Sequence, residues 1–149
     1  MNTLLRIVAA AGLAASCAPA GRPEPAAPAA RPVPASVRTL PDAGWEFIGI
    51  DESRQVAVAI DWRSFERAGE RRRVRVLVNT TQPDRNYRSI VAEQEIDCAR
   101  RVGRALHTAH YSELAGRGEM VWSTSEPVAA WQWTPGTLGE AMNTAICAH

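Results

Sequence analysis

The stretch Ile90-Val-Ala-Glu-Gln-Glu-Ile-Asp-Cys98-Ala-Arg-Arg101-Val-Gly-Arg104-Ala-Leu-His107-Thr-Ala-His110-Tyr111 decides how this chain folds. Ile90, Ala92, Ile96 and Cys98 share one parity and Val91, Glu93, Glu95 and Asp97 the other, the period-two pattern of a half-buried strand. That parity turns Cys98 inward. A second extended run follows from about Val102 to Tyr111, with Gly103 as the expected site of a bulge.

Working outward, Arg71 to Asn79 alternates in the same way, with Val74, Val76 and Val78 on a core face and Arg73, Arg75 and Leu77 on a wetter one. Trp45 to Ile50 and the β-branched run Val56 to Asp61 read as two earlier strands joined by the polar turn Asp51 to Arg54. Phe65 to Gly69 reads as a connection, and Thr80 to Asn86 as a loop. On the other side, Gly116-Arg-Gly118 is a turn and Glu119 to Thr124 a last strand, followed by a Trp131-Gln-Trp133 loop. Thr137 and Glu140 have capping-box spacing, which starts a helix. Its apolar stripe is Leu138, Ala141, Met142, Ala145 and Ile146. Burying Leu138, Met142 and Ile146 contributes roughly 5–9 kcal/mol gross. The pattern predicts an α+β domain, an antiparallel sheet of about six strands with one C-terminal helix packed on it as a lid.

The chain has 149 residues, and a formal net charge of +1 in which every basic residue is arginine. Removing residues 1–16 takes Arg6 away and leaves sixteen arginines facing sixteen acidic residues, a balance that argues against nucleic acid as a partner. Residues 1–16 read as an export signal, one charge at Arg6 followed by an apolar run too short to span a bilayer. The run ends Leu13-Ala-Ala-Ser-Cys17, which resembles a lipobox and predicts acylation of Cys17, with ordinary cleavage near Ala18 or Ala20 as the alternative. Residues 17–36 hold six prolines among alanines and predict an extended spacer; the folded domain then occupies 37–149. Three cysteines leave an odd one, and acylating Cys17 leaves Cys98 and Cys147 as a pair. Their disulfide would tether the helix to the sheet and close a loop of about 50 residues, a constraint of roughly 4 kcal/mol.

Several short segments, in order and spacing, resemble the surface-adhesin protein E family of bacterial envelope lipoproteins. They are Asp61-Trp-Arg-Ser-Phe65 followed by Gly69, Arg88-Ser89, Glu95-Ile-Asp-Cys98, Arg100-Arg101 with Arg104, Tyr111-Ser112, Gly116-Arg-Gly-Glu119, and Pro135-Gly-Thr137 with Gly139-Glu140 before Cys147. Ala59 and Val76 stand where the family would place aromatics. The resemblance implies an antiparallel sheet of about six strands, a helix tethered by Cys98–Cys147, homodimerisation through the sheet, and binding of host extracellular-matrix or plasma proteins. It also implies a non-enzymatic lipoprotein in the cell envelope, anchored in the outer membrane or otherwise periplasmic. The second reading is an accessory subunit of a periplasmic or outer-membrane assembly.

Chemistry-bearing residues are sparse. His107, His110 and Tyr111 are metal- or haem-ligand types, but three-residue spacing on a strand sends the two imidazoles to opposite faces, so no metal or cofactor is assigned. Asp61, Ser64 and either histidine supply the residue types of a hydrolytic triad without a nucleophile elbow, so no catalytic residue is assigned. Asp97 beside Arg100 and Arg101 reads as an ion pair at a strand end. Arg71, Arg72, Arg73 and Arg75 beside Glu70 read either as a solvated edge that blocks strand addition or as a patch for an anionic partner, with Arg73 and Arg75 outward. Trp131 and Trp133 either cover the helix start or anchor a partner.

Overall fold

The computed structural model of the protein describes residues 34–82 and 85–149. The signal segment, Cys17, nearly all of the proline-rich spacer and Pro83-Asp84 lie outside the described residues. Six strands pair antiparallel in chain order: β1 (Trp45–Asp51), β2 (Val56–Ala68), β3 (Arg71–Thr80), β4 (Ser89–Asp97), β5 (Val102–Tyr111) and β6 (Met120–Thr124). Short connections make each strand turn back beside its predecessor, which is why sequence order equals spatial order.

Two expected connections are strands instead. Residues Phe65 to Ala68 belong to β2, which bulges at residues 62–65 and resumes pairing at Glu66 opposite Arg73 before the turn at Gly69, whose φ is +62°. The Trp131-Gln-Trp133 loop contains β7 (Trp131–Gln132), which pairs with Val102 and Gly103 at the start of β5. Gly103 is therefore not a bulge. A Cβ there would stand 3.0 Å from the Trp131 ring, so its role is to let that indole lie against the sheet. The bulge in β5 falls at Leu106, where the register passes from Glu93↔His107 to Gln94↔Ala105.

One helix, α1 (Leu138–Ala148), closes the inner face. Met142 and Ile146 pack with Val58, Ile60, Val74, Val76 and Ile96 in the main core. The alternation of β3 and β4 thus has the expected sense. Thr137 caps α1 by accepting from the Glu140 N–H, while Glu140 reaches back one residue further than a standard capping box, to the Gly136 N–H. Cys98 and Cys147 form a disulfide between the end of β4 and the last turn of α1. The stripe differs at two places: Ala141 is exposed and Asn143 is buried, because the helix also meets β7 and the β1–β2 turn on its flank.

The opposite face is not uniformly wet. Residues ahead of β1 fold across it, and Leu40 joins Trp45, Ala59, Leu77 and Val91 in a second apolar cluster. A buried polar node secures this cover. Asn79 donates to the carbonyls of Val37 and Thr39 and accepts from the Ala115 N–H, while Ser89 Oγ bonds Glu113 and Gly116 in the same β5–β6 loop. Each amide group that burial strips of water is paired here, as stability requires.

Candidate functional site

Beyond the second apolar cluster, the outer face carries rows of alternating charge. Register aligns Asp61, Arg75, Glu93 and His107 across β2 to β5, and beside them Arg73, Glu95 and Arg104. Opposite charges directly or diagonally across a sheet attract. Arg73 meets Glu93 at 3.4 Å, Arg104 meets Glu95 at 2.7 Å, and Arg71 reaches Glu95 at 3.8 Å. Arg73 and Arg75 do face outward, but each is held by a carboxylate. β3 is also a central strand, so its arginines guard no edge; Arg72 points inward, buried, with its guanidinium on the Gly69 and Arg71 carbonyls.

Asp61 is the anchor of these rows. Its carboxylate is fully buried yet accepts from the Arg63 N–H, Arg63 Nε and Arg75 Nη2. Arg63 also bridges to Asp42, which raises its own affinity for its proton, first through Asp61 and then Asp42. Asp42 is held below the usual carboxylate range chiefly by the Gly44 N–H. Ser64 donates to the Asp61 carbonyl and accepts from the Arg75 N–H, bridging the β2 bulge to β3. Trp62, Phe65 and His149 cluster at the same bulge, His149 stacked on Trp62 and edge-on to Phe65, and Trp62 Nε1 donates to Glu46. Asp61 and Ser64 thus serve backbone and ion-pair geometry.

His107 and His110 lie on β5, paired with Glu93 and Ile90, which face opposite sides of the sheet. His110 sits edge-on between Tyr87 and Trp122, and burial, with Arg85 nearby, holds its pKa below the ordinary value. Among the described residues Asp97 pairs with no arginine side chain. It accepts from the Arg100 N–H and so closes the β4–β5 turn, while Arg101 reaches Glu140 at 2.6 Å and stacks over Trp133. Trp131 and Trp133 are both half-buried, against β5 and α1 respectively.

The surface best suited to a partner is β6. Among the described residues no strand pairs with its outer side, and Met120, Val121 and Trp122 are 54%, 36% and 52% exposed. The sheet's other edge, β1, is interrupted by a bulge at Ile48 and carries Glu46 and Asp51. β6, Met-Val-Trp-Ser-Thr, has neither charge nor proline, the devices that keep an edge unpaired.

A family model described as surface-adhesin protein E matches residues 45–148. The chain belongs to this family. Membership in the protein E family implies an exported, cell-surface protein. Haemophilus influenzae protein E in its selenomethionine form is similar in fold, with TM-score 0.55 and 19% identity over 72% of this chain and 88% of that one. A second structure of Haemophilus influenzae protein E gives TM-score 0.52 and 19% identity over 72% and 86% of the two chains. Among curated proteins none matches the sequence significantly. In this protein E family domain, the motif Asp61 to Phe65 forms the β2 bulge and its carboxylate anchor. The bare edge of β6 escaped the sequence reading, although an uncharged, β-prone run of five residues is its signal.

Proposed function

We propose that the chain is a non-enzymatic cell-envelope lipoprotein whose protein E domain binds a protein partner by strand addition along β6. The observation that carries this reading is an open, uncharged edge with three exposed apolar side chains, on a sheet whose other edge is bulged and acidic. Main-chain N–H and C=O groups of an incoming strand supply affinity, and the side chains of Met120 and Trp122 supply selectivity. Acylation at Cys17 and the proline-rich spacer over 17–36 would present that edge away from a membrane. The partner class suggested by family membership is a host extracellular-matrix or plasma protein; a second copy of this chain would use the same edge.

The test compares the full chain with a Met120→Lys, Val121→Lys double variant for capture of immobilised matrix and plasma proteins. Exposed substitutions should leave stability within about 0.5 kcal/mol while lowering capture. Undiminished capture by a folded variant would exclude β6 as the contact.

A further inference from the structure

In a chain whose formal charges nearly cancel, arginine is in surplus at one end of the sheet, where the Cys98 N–H bonds the Glu70 carbonyl and brings the β2–β3 and β4–β5 turns together. A cleft of about 300 Å³ there is lined by Arg67, Arg71, Arg72 and Arg73 against Glu66 and Glu95. A second, of about 130 Å³, adjoins it by sharing Arg71 and Glu95, and adds Arg100 and Arg104 against Asp97. Together they hold six arginines and three carboxylates, and Glu70 lines neither. Two of those carboxylates are already committed: Glu95 serves both Arg71 and Arg104, and Asp97 accepts from the Arg100 N–H. Arg67 stands directly across from Arg72 in the β2–β3 register, and among the described residues Arg67, Arg72 and Arg100 pair with no carboxylate. Like charges opposite one another on a sheet repel, so an anion lying over them is favoured. Arg72 is 4% exposed and fixed by the Gly69 and Arg71 carbonyls, so it lends charge from beneath, while Arg67, Arg71, Arg73 and Arg100 are exposed and supply contact.

The lining also bears on what kind of anion fits. The main chain of β3 and β4 beneath the clefts is paired on both sides, so an acidic peptide finds no partners there for its own N–H and C=O groups. Small apolar side chains such as Ala68, Val102 and Ala130 offer no pocket for an apolar anchor. What the surface does offer is guanidinium forks, which engage the oxygens of compact anions in pairs. Two small clefts with a common wall suit anionic groups that recur along a chain. We propose that this end of the sheet binds a linear sulfated polysaccharide, one sulfate group held by Arg67 and Arg71 and a following one by Arg100 and Arg104. No β6 residue lines either cleft, so the site stands independently of strand addition at β6.

The full chain applied to immobilised heparin at low ionic strength should be retained and released by salt, because attraction between exposed charges is screened. An Arg67→Ser, Arg71→Ser double variant should keep its melting temperature, since exposed charges contribute little to stability, yet bind heparin about tenfold more weakly and elute at lower salt. Arg54→Ser with Arg85→Ser makes the same change in net charge away from both clefts and should elute with the wild type. Arg100→Ser should also advance elution and stands as the second variant if the first does not fold. Desulfated heparin, which keeps its carboxylates, should bind at least about tenfold more weakly than heparin. Absence of retention at low salt, an equal loss in the two double variants, or undiminished affinity in a folded cleft variant would overturn the proposal. So would equal binding of desulfated heparin or of polyglutamate, the latter assigning the arginines to an acidic peptide instead.

Discussion

Replacing Arg75 should destabilise the domain far more than replacing Arg73, although the two arginines share a strand, a face and a similar exposure of about half. The difference lies in their partners. Arg75 Nη2 lies 2.5 Å from the Asp61 carboxylate, whose side chain is 0% exposed, whereas Arg73 faces Glu93, itself 39% exposed, at 3.4 Å. Losing one partner of a fully buried pair costs ~3–5 kcal/mol, and one hydrogen bond to a charged group contributes ~1.5–3 kcal/mol. Water reaches Arg75, and Asp61 retains Arg63, so the lower range applies and Arg75→Ser should cost about 2 kcal/mol. For a domain of this size that lowers the melting temperature by roughly 6–12 °C. Arg73→Ser removes an exposed pair and should cost about 0.5 kcal/mol or less, a loss that high salt abolishes. Thermal unfolding followed by circular dichroism, with urea midpoints at low and high salt, separates the two. Equal small losses would refute the Asp61 clamp, and equal large ones would mean that Arg73 supports the sheet through something other than Glu93.

Reduction of the disulfide or Cys147→Ser should lower stability by about 2–5 kcal/mol, since the bond joins residues 49 apart in sequence and ties α1 to β4; urea unfolding of oxidised and reduced protein measures this. His110 has a folded pKa below its ordinary 6.5, so as pH falls the unfolded chain takes up the proton first. Its contribution is complete above about pH 6.5 and is lost as pH falls through that value toward the folded pKa. Comparing urea midpoints at about pH 7 and about pH 5, His110→Phe should show a smaller drop than the wild type, and an identical drop would assign the acid sensitivity elsewhere.

Much of the fold was legible because its signals are local. Alternation in β3 and β4 identified Val74, Val76 and Ile96 as core, the spacing of Thr137 and Glu140 located the start of α1, and inward parity at Cys98 pointed to its bond with Cys147. Parity names the face a residue occupies, but not what covers that face. Leu77 therefore read as wet until the segment before β1 was seen to fold over it, and Asn143 read as outside the stripe until β7 closed on the helix flank. Gly103 illustrates the same limit, since a glycine in a strand fits both a bulge and a close approach, and only the position of Trp131 distinguishes them.

The candidate sites were less legible still. Asp42 and Asp61 are the same residue type near arginines, yet one is exposed and the other sealed beneath Arg63 and Arg75, because the β2 bulge and the β2–β3 register bring those arginines over it. The sequence by itself determined six strands in their order, the core faces of β3 and β4, the helix and the cysteine pair, since alternation, capping and cysteine count act over a few residues or by simple exclusion. Only the tertiary structure decided that among the described residues no strand pairs with the outer side of β6, that the arginine face is neutralised across strands, and that two tryptophans and an asparagine line one cleft, because each depends on contacts between segments far apart in the chain.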